Sequence, residues 1–157
     1  MLYNIYQDVF SLLYRIVFNM NKISIFKIVT GVAGLYHVLL AGVALLFPIA
    51  LTSKAFTFAL GINIALTPQI EFIGKFVGVY MLAFGLMLLM LAFNPVKYRV
   101  FAYPAIILFG IRLINRILFF GALSTTLEMT ASRNIIGSVL ILLFFLGIWL
   151  TLPPKQL

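Results

Sequence analysis

Long apolar stretches, separated by short segments that carry prolines or clustered polar residues, set the rhythm of this chain. Crossing a bilayer as a helix takes about 20 mostly apolar residues. Four stretches meet that length: Ile23–Phe47, Ile70–Phe93, Val100–Phe120 and Asn134–Leu152. Pro48 closes the first, Asn94–Pro95 the second, the polar run GALSTTLEMTASR follows the third, and Pro153–Pro154 closes the fourth. Proline lacks the N–H that a helix interior needs, so these positions are natural stops. Thr67–Pro68 reads as a cap and first helical residue ahead of the second span.

Two further segments have a different pattern. In residues 1–22, Leu2, Tyr3, Ile5, Tyr6, Phe10, Leu13, Tyr14 and Val17 recur at helical spacing, interrupted by Asn4, Gln7, Asp8, Ser11 and Arg15. That alternation predicts an amphipathic helix lying in the membrane interface; a soluble helix packed on a partner is the alternative. The segment lacks the basic start of a signal peptide. Ala50–Leu66, broken by Lys54, Gly61 and Asn63, predicts a short interfacial or re-entrant helix. The expected fold class is therefore all-α: a four-transmembrane-helix bundle with an N-terminal amphipathic interfacial helix and a short interfacial helix between spans one and two. One membrane domain covers 23–152, and 153–157 form a tail.

Small residues mark the faces on which helices can approach closely. Thr30, Gly34, His37 and Ala41 share one face of span one, beside Gly31. In span two, Gly74 and Gly78 form a GxxxG and Gly85 follows two turns later; Glu71, Lys75, Gly78, Leu82 and Gly85 share a face, so the helix presents an ion pair of Glu71 with Lys75 in the same direction as its glycines. These five glycines, Gly31, Gly34, Gly74, Gly78 and Gly85, are the expected packing positions.

Composition fits that picture: 64% of residues are hydrophobic and the mean hydropathy is +1.20. At 157 residues there is room for one domain. The absence of cysteine removes disulfides, thiolate metal sites and dithiol redox chemistry. Eleven lysines and arginines face only three acids, a net charge of +8. Here the bases flank apolar segments, so they serve as topology signals and contacts to lipid phosphates rather than to nucleic acid. Arg15, Lys22, Lys27, Lys97, Arg99 and Lys155 would share one side, and Lys54, Lys75 and Arg133 the other. That bias predicts both termini in the cytoplasm, with Trp149 as an interfacial anchor, in a bacterial cytoplasmic membrane.

Arg112 and Arg116 then stand out, one helical turn apart in FAYPAIILFGIRLINRILFF. Arginine stays protonated even when buried, and a charge in lipid is costly. Both should turn inward, into the outer half of the bundle, where Glu71, Lys75, His37 and Glu128 would also gather. In one reading Glu71 or Glu128 neutralises the arginines, with Asn115 and Tyr80 adding hydrogen bonds. In another the arginines hold an anionic or carbonyl-bearing ligand such as a lipid headgroup or quinone. A contact with a partner subunit is a third. His37 alone is insufficient for haem or metal, and no carboxylate pair, Ser/His/Asp order, HExxH or phosphate loop is present. No catalytic residues, metal or obligatory cofactor are expected.

A glycine-containing first helix ending in FP, the run GKFVGVYMLAFGLMLLMLAFNPVKYR, and a third helix bearing internal arginines follow in that order. Over about Ile28–Phe120 this resembles the small BphX-like and DoxX-like four-helix membrane families. The resemblance implies a compact four-helix membrane fold, and for some DoxX relatives an association with quinone-linked redox complexes; it carries over no catalytic residues. The expected function is a non-catalytic accessory or scaffold subunit of a larger membrane complex, with membrane lipids and partner subunits or further copies of itself as partners. The alternative is a lipid- or quinone-binding protein, up to a quinone-linked redox component.

Overall fold

The computed structural model describes residues 22–60, 67–126 and 128–154. The amphipathic segment expected over 1–22 lies outside them except for Lys22, which opens the first helix. Among the described residues every regular element is helical: α1 (Lys22–Leu46), α2 (Ile49–Leu60), α3 (Pro68–Phe93), a 3-10 turn (Arg99–Phe101), α4 (Ala102–Leu118), α5 (Phe120–Thr126) and α6 (Ala131–Leu150). Four of them are long and apolar enough to cross a membrane: α1, α3, α4 with its 3-10 turn, and α6.

Local chemistry explains the boundaries. The Thr67 hydroxyl accepts from the Ile70 amide at 3.3 Å, with Pro68 filling the first helical position, where no N–H is required. Asn94 ends α3, and its side-chain oxygen accepts from the Lys97 amide at 3.1 Å, shaping the turn into α4. Thr130 caps α6 by accepting from Arg133 N at 3.4 Å. The Thr52 hydroxyl donates to the carbonyls of Val43 and Phe47, at 3.2 and 3.4 Å, so the α1–α2 corner around Pro48 has its loose acceptors filled. One expectation changes here. The third span stops at Leu118, and part of the expected polar connection coils into α5.

The bundle is two helix pairs. α1 packs along α3, α4 packs along α6, and α1 also touches α6. The α1–α3 seam is close because Gly34 and Gly85 meet there. A Cβ on Gly34 would fall 2.9 Å from the Gly85 carbonyl oxygen, and one on Gly85 would fall 3.0 Å from that of Gly34. Gly78 seats Ala44 and Leu45, and Gly31 makes ordinary contact with Ala92. Gly74, in contrast, looks into open space, so the GxxxG motif supplies one packing glycine and not two.

A continuous core joins the pairs: Phe26 and Ala33 of α1, Leu88 and Leu91 of α3, Ala105 and Phe109 of α4, Ile141 and Ile148 of α6. Much apolar surface remains outside it, including Ile28, Val32, Leu35 and Leu39 along α1, as befits helices whose outer solvent is hydrocarbon. Two other buried hydroxyls are satisfied by the preceding turn of their own helix, Thr30 on the Phe26 carbonyl at 2.7 Å and Thr151 on that of Gly147. At the end of the bundle where α4 begins, Arg99 Nε donates to the Pro153 carbonyl at 2.6 Å and fastens α4 to the end of α6.

Candidate functional site

α4 sets Arg112 and Arg116 four residues apart, hence on one face, and both are half-buried. Their partners come from α1 and α6. His37 is buried at 2% exposure. Its Nδ1 lies 2.7 Å from the Ala33 carbonyl, an acceptor only, so Nδ1 carries the proton. Nε2 then offers its lone pair, and Arg112 Nη1 donates to it at 3.0 Å. Edge-on rings of Tyr36, Phe84 and Phe109, with centroids 5.5, 5.0 and 6.0 Å away, hold the imidazole in place.

Arg116 reaches α6. Its Nη1 donates to the side-chain oxygen of Asn134 at 3.1 Å and to the Asn134 carbonyl at 3.3 Å, with the Met129 sulfur 3.9 Å away. Asn134 is 3% exposed, an amide placed inside the bundle for this contact. The neighbouring Arg133 donates to the Thr57 carbonyl of α2 at 2.6 Å.

These three arginines line one cleft of about 300 Å³ between α1, α4 and α6. Tyr36 and His37 complete its polar part, and among the described residues no carboxylate lines it. The remaining wall is apolar. Phe58 closes it from α2, Phe109 from α4, and Ile136, Leu140, Ile141 and Phe144 from α6. Along α6, Arg133, Ile136, Gly137, Leu140, Ile141 and Phe144 step by threes and fours and form one stripe. At 1.5 Å per residue that stripe runs roughly 16 Å, with the charges at one end. A cationic end joined to an aromatic and aliphatic channel is shaped for a molecule with an anionic head and an apolar tail.

The remaining expected site residues are not all gathered here. Glu71 pairs with Lys75 at 2.9 Å, one turn along its own helix, beside Ala44, Phe47 and Thr52. Glu71 is thus not the partner of Arg112 or Arg116, and the ionisable groups share one end of the bundle without sharing one site. A local i, i+4 partner needs no tertiary contact and prevails. Asn115 is exposed and does not line the cleft. Tyr80 is also exposed, its ring against Phe76. Glu128, in left-handed backbone at φ 50°, sits between α5 and α6 and is not among the cleft's lining residues. Among the described residues no three potential metal ligands cluster.

Sequence reasoning missed Tyr36, Asn134 and Gly137, and took Arg133 only as a topology charge. The overlooked signal is the RN pair followed by a glycine at the start of an otherwise apolar span. Comparison with protein-family models, with curated proteins and with solved structures finds no match to this chain.

Proposed function

We propose that this chain is a four-span membrane protein that binds, without transforming, an anionic amphiphile in the arginine cleft. One observation carries the reading: Arg112, Arg116 and Arg133 line a single cleft whose other wall is apolar and which, among the described residues, no carboxylate lines. Guanidinium groups remain charged when buried, and charges withdrawn from water require a counter-charge. A lipid headgroup supplies one, and planar guanidinium forks suit its oxygens. A neutral quinone could accept hydrogen bonds but would leave the charge uncompensated, so the geometry favours lipid over quinone.

The same proposal includes an interfacial helix over 1–22, both termini on the cytoplasmic side, a bacterial cytoplasmic membrane, and architectural kinship with the BphX-like and DoxX-like families. The test is an inventory of what accompanies the protein from mild detergent. Solvent extraction and mass spectrometry should find an anionic lipid in stoichiometric amount, lost in Arg112→Leu/Arg116→Leu. An empty cleft together with a stoichiometric protein partner would instead favour the accessory-subunit reading.

A further inference from the structure

Resting on the reading of the cleft as an amphiphile site, we propose that the head it selects is a phosphomonoester, the doubly charged type, over the singly charged phosphodiester of ordinary phospholipids. Charge is the first ground. Three arginines line the cleft, and among the described residues no carboxylate does. A phosphodiester brings one negative charge, whereas a phosphomonoester brings about 1.5 to 2 at neutral pH. The more charged head leaves less guanidinium charge uncompensated in a partly dehydrated space.

Donor geometry is the second. The long-range bonds of each arginine engage Nη1 and end on a neutral acceptor: His37 Nε2, Asn134 Oδ1 and the Thr57 carbonyl. Those bonds orient each guanidinium, and the edge formed by Nη2 and Nε is the one suited to a bidentate anion contact. A monoester has three terminal oxygens for the guanidinium donors that line the cleft; a diester has two.

Gly137 is the third. The Arg116 guanidinium lies flat against the α6 backbone there. A Cβ at that position would come 2.7 Å from Cζ and 2.9 Å from Nη2. Any side chain at 137 would push the guanidinium off its seat, which makes Gly137 a positioning residue for Arg116.

The test titrates the detergent-solubilised full chain with phosphatidic acid, with phosphatidylglycerol of the same acyl chains, and with inorganic phosphate, read by native mass spectrometry. Phosphatidic acid should bind at least about tenfold tighter than phosphatidylglycerol, and inorganic phosphate far more weakly than either. Arg116→Gln and Gly137→Val should each reduce that preference severalfold. A variant-free arm lowers the pH to 5, where the monoester carries close to one charge because its second ionisation lies near 6. The affinity ratio of the two lipids should then fall toward one. Tyr36, His37 and the three arginines face both heads alike, so their own titration affects the ratio little. Equal affinities at neutral pH, with both lipids sensitive to Arg116→Gln, would overturn the head assignment and leave the amphiphile reading standing. No binding of either lipid would overturn both, as would phosphate binding as tightly as the lipids. A preference unchanged in both variants would put the head elsewhere and overturn the proposal.

Discussion

Because the Nδ1 proton of His37 is committed to the Ala33 carbonyl, its Nε2 can only accept, and Arg112 fills it from a group that stays charged. The two partners are therefore unequal when removed. Arg112→Leu leaves a neutral acceptor unsatisfied, at about 1 kcal/mol, whereas His37→Leu strips a buried cation of an acceptor, at about 3 kcal/mol. The double variant removes both partners and should cost less than either single one. Unfolding in mixed micelles measures this, and equal losses for the two single variants would refute the asymmetry. The arginines stood out in sequence by their cost in an apolar run, and His37, which Arg112 meets, stood among the candidate partners. Asn134 was not readable, because a polar residue at the expected edge of a span looks like a boundary. Glu71 was readable both as half of an ion pair with Lys75 and as a candidate partner of the arginines, and the local pair is the one that forms.

Helix packing divides the glycines sharply. At Gly85 an added methyl meets the Val38 amide at 2.9 Å and the Gly34 carbonyl at 3.0 Å, so α1 and α3 would have to separate. Gly85→Ala should destabilise by about 1–3 kcal/mol, the usual cost of overpacking. Gly74→Ala meets nothing, and alanine is the better helix former, so it should be neutral or stabilising by up to about 1 kcal/mol. The same unfolding assay decides; a loss at both positions would mean that the GxxxG packs as a unit. Both glycines look alike in sequence, since only the rotation of α3 about its axis separates them. The four spans, their proline stops and the Thr67 cap were legible because each rests on local pattern. α5 was not. Its Ser124 and Thr125 hydroxyls donate to the Gly121 carbonyl within their own turn, at 2.8 and 3.0 Å, and a polar run can coil on such bonds without an apolar stripe.

At the scale of the bundle, the basic residues near the turns define an orientation. Lys97 and Arg99 flank the turn between α3 and α4, and Arg99 is tied to Pro153, so the end of α6 shares that side. Reporter fusions at Asn94 and at Ser124 should therefore report opposite sides of the membrane, with Asn94 cytoplasmic; equal signals would remove the topology. The lengths of the helices add a further consequence. α1 and α3, with 25 and 26 residues, extend to roughly 38 Å at 1.5 Å per residue. The 20-residue spans of α4 with its 3-10 turn and of α6 reach roughly 30 Å, about the thickness of a hydrocarbon core. Two hairpins of such unequal length cannot both match one flat bilayer. The long pair must tilt or thicken the leaflets beside it, at fractions of a kcal/mol per Å, while the short pair matches an unperturbed core on its own flank. Arg116 lies in the last turn of α4, on that matched flank. There the headgroup layer would lie closer to the guanidinium groups than it would beside the longer pair.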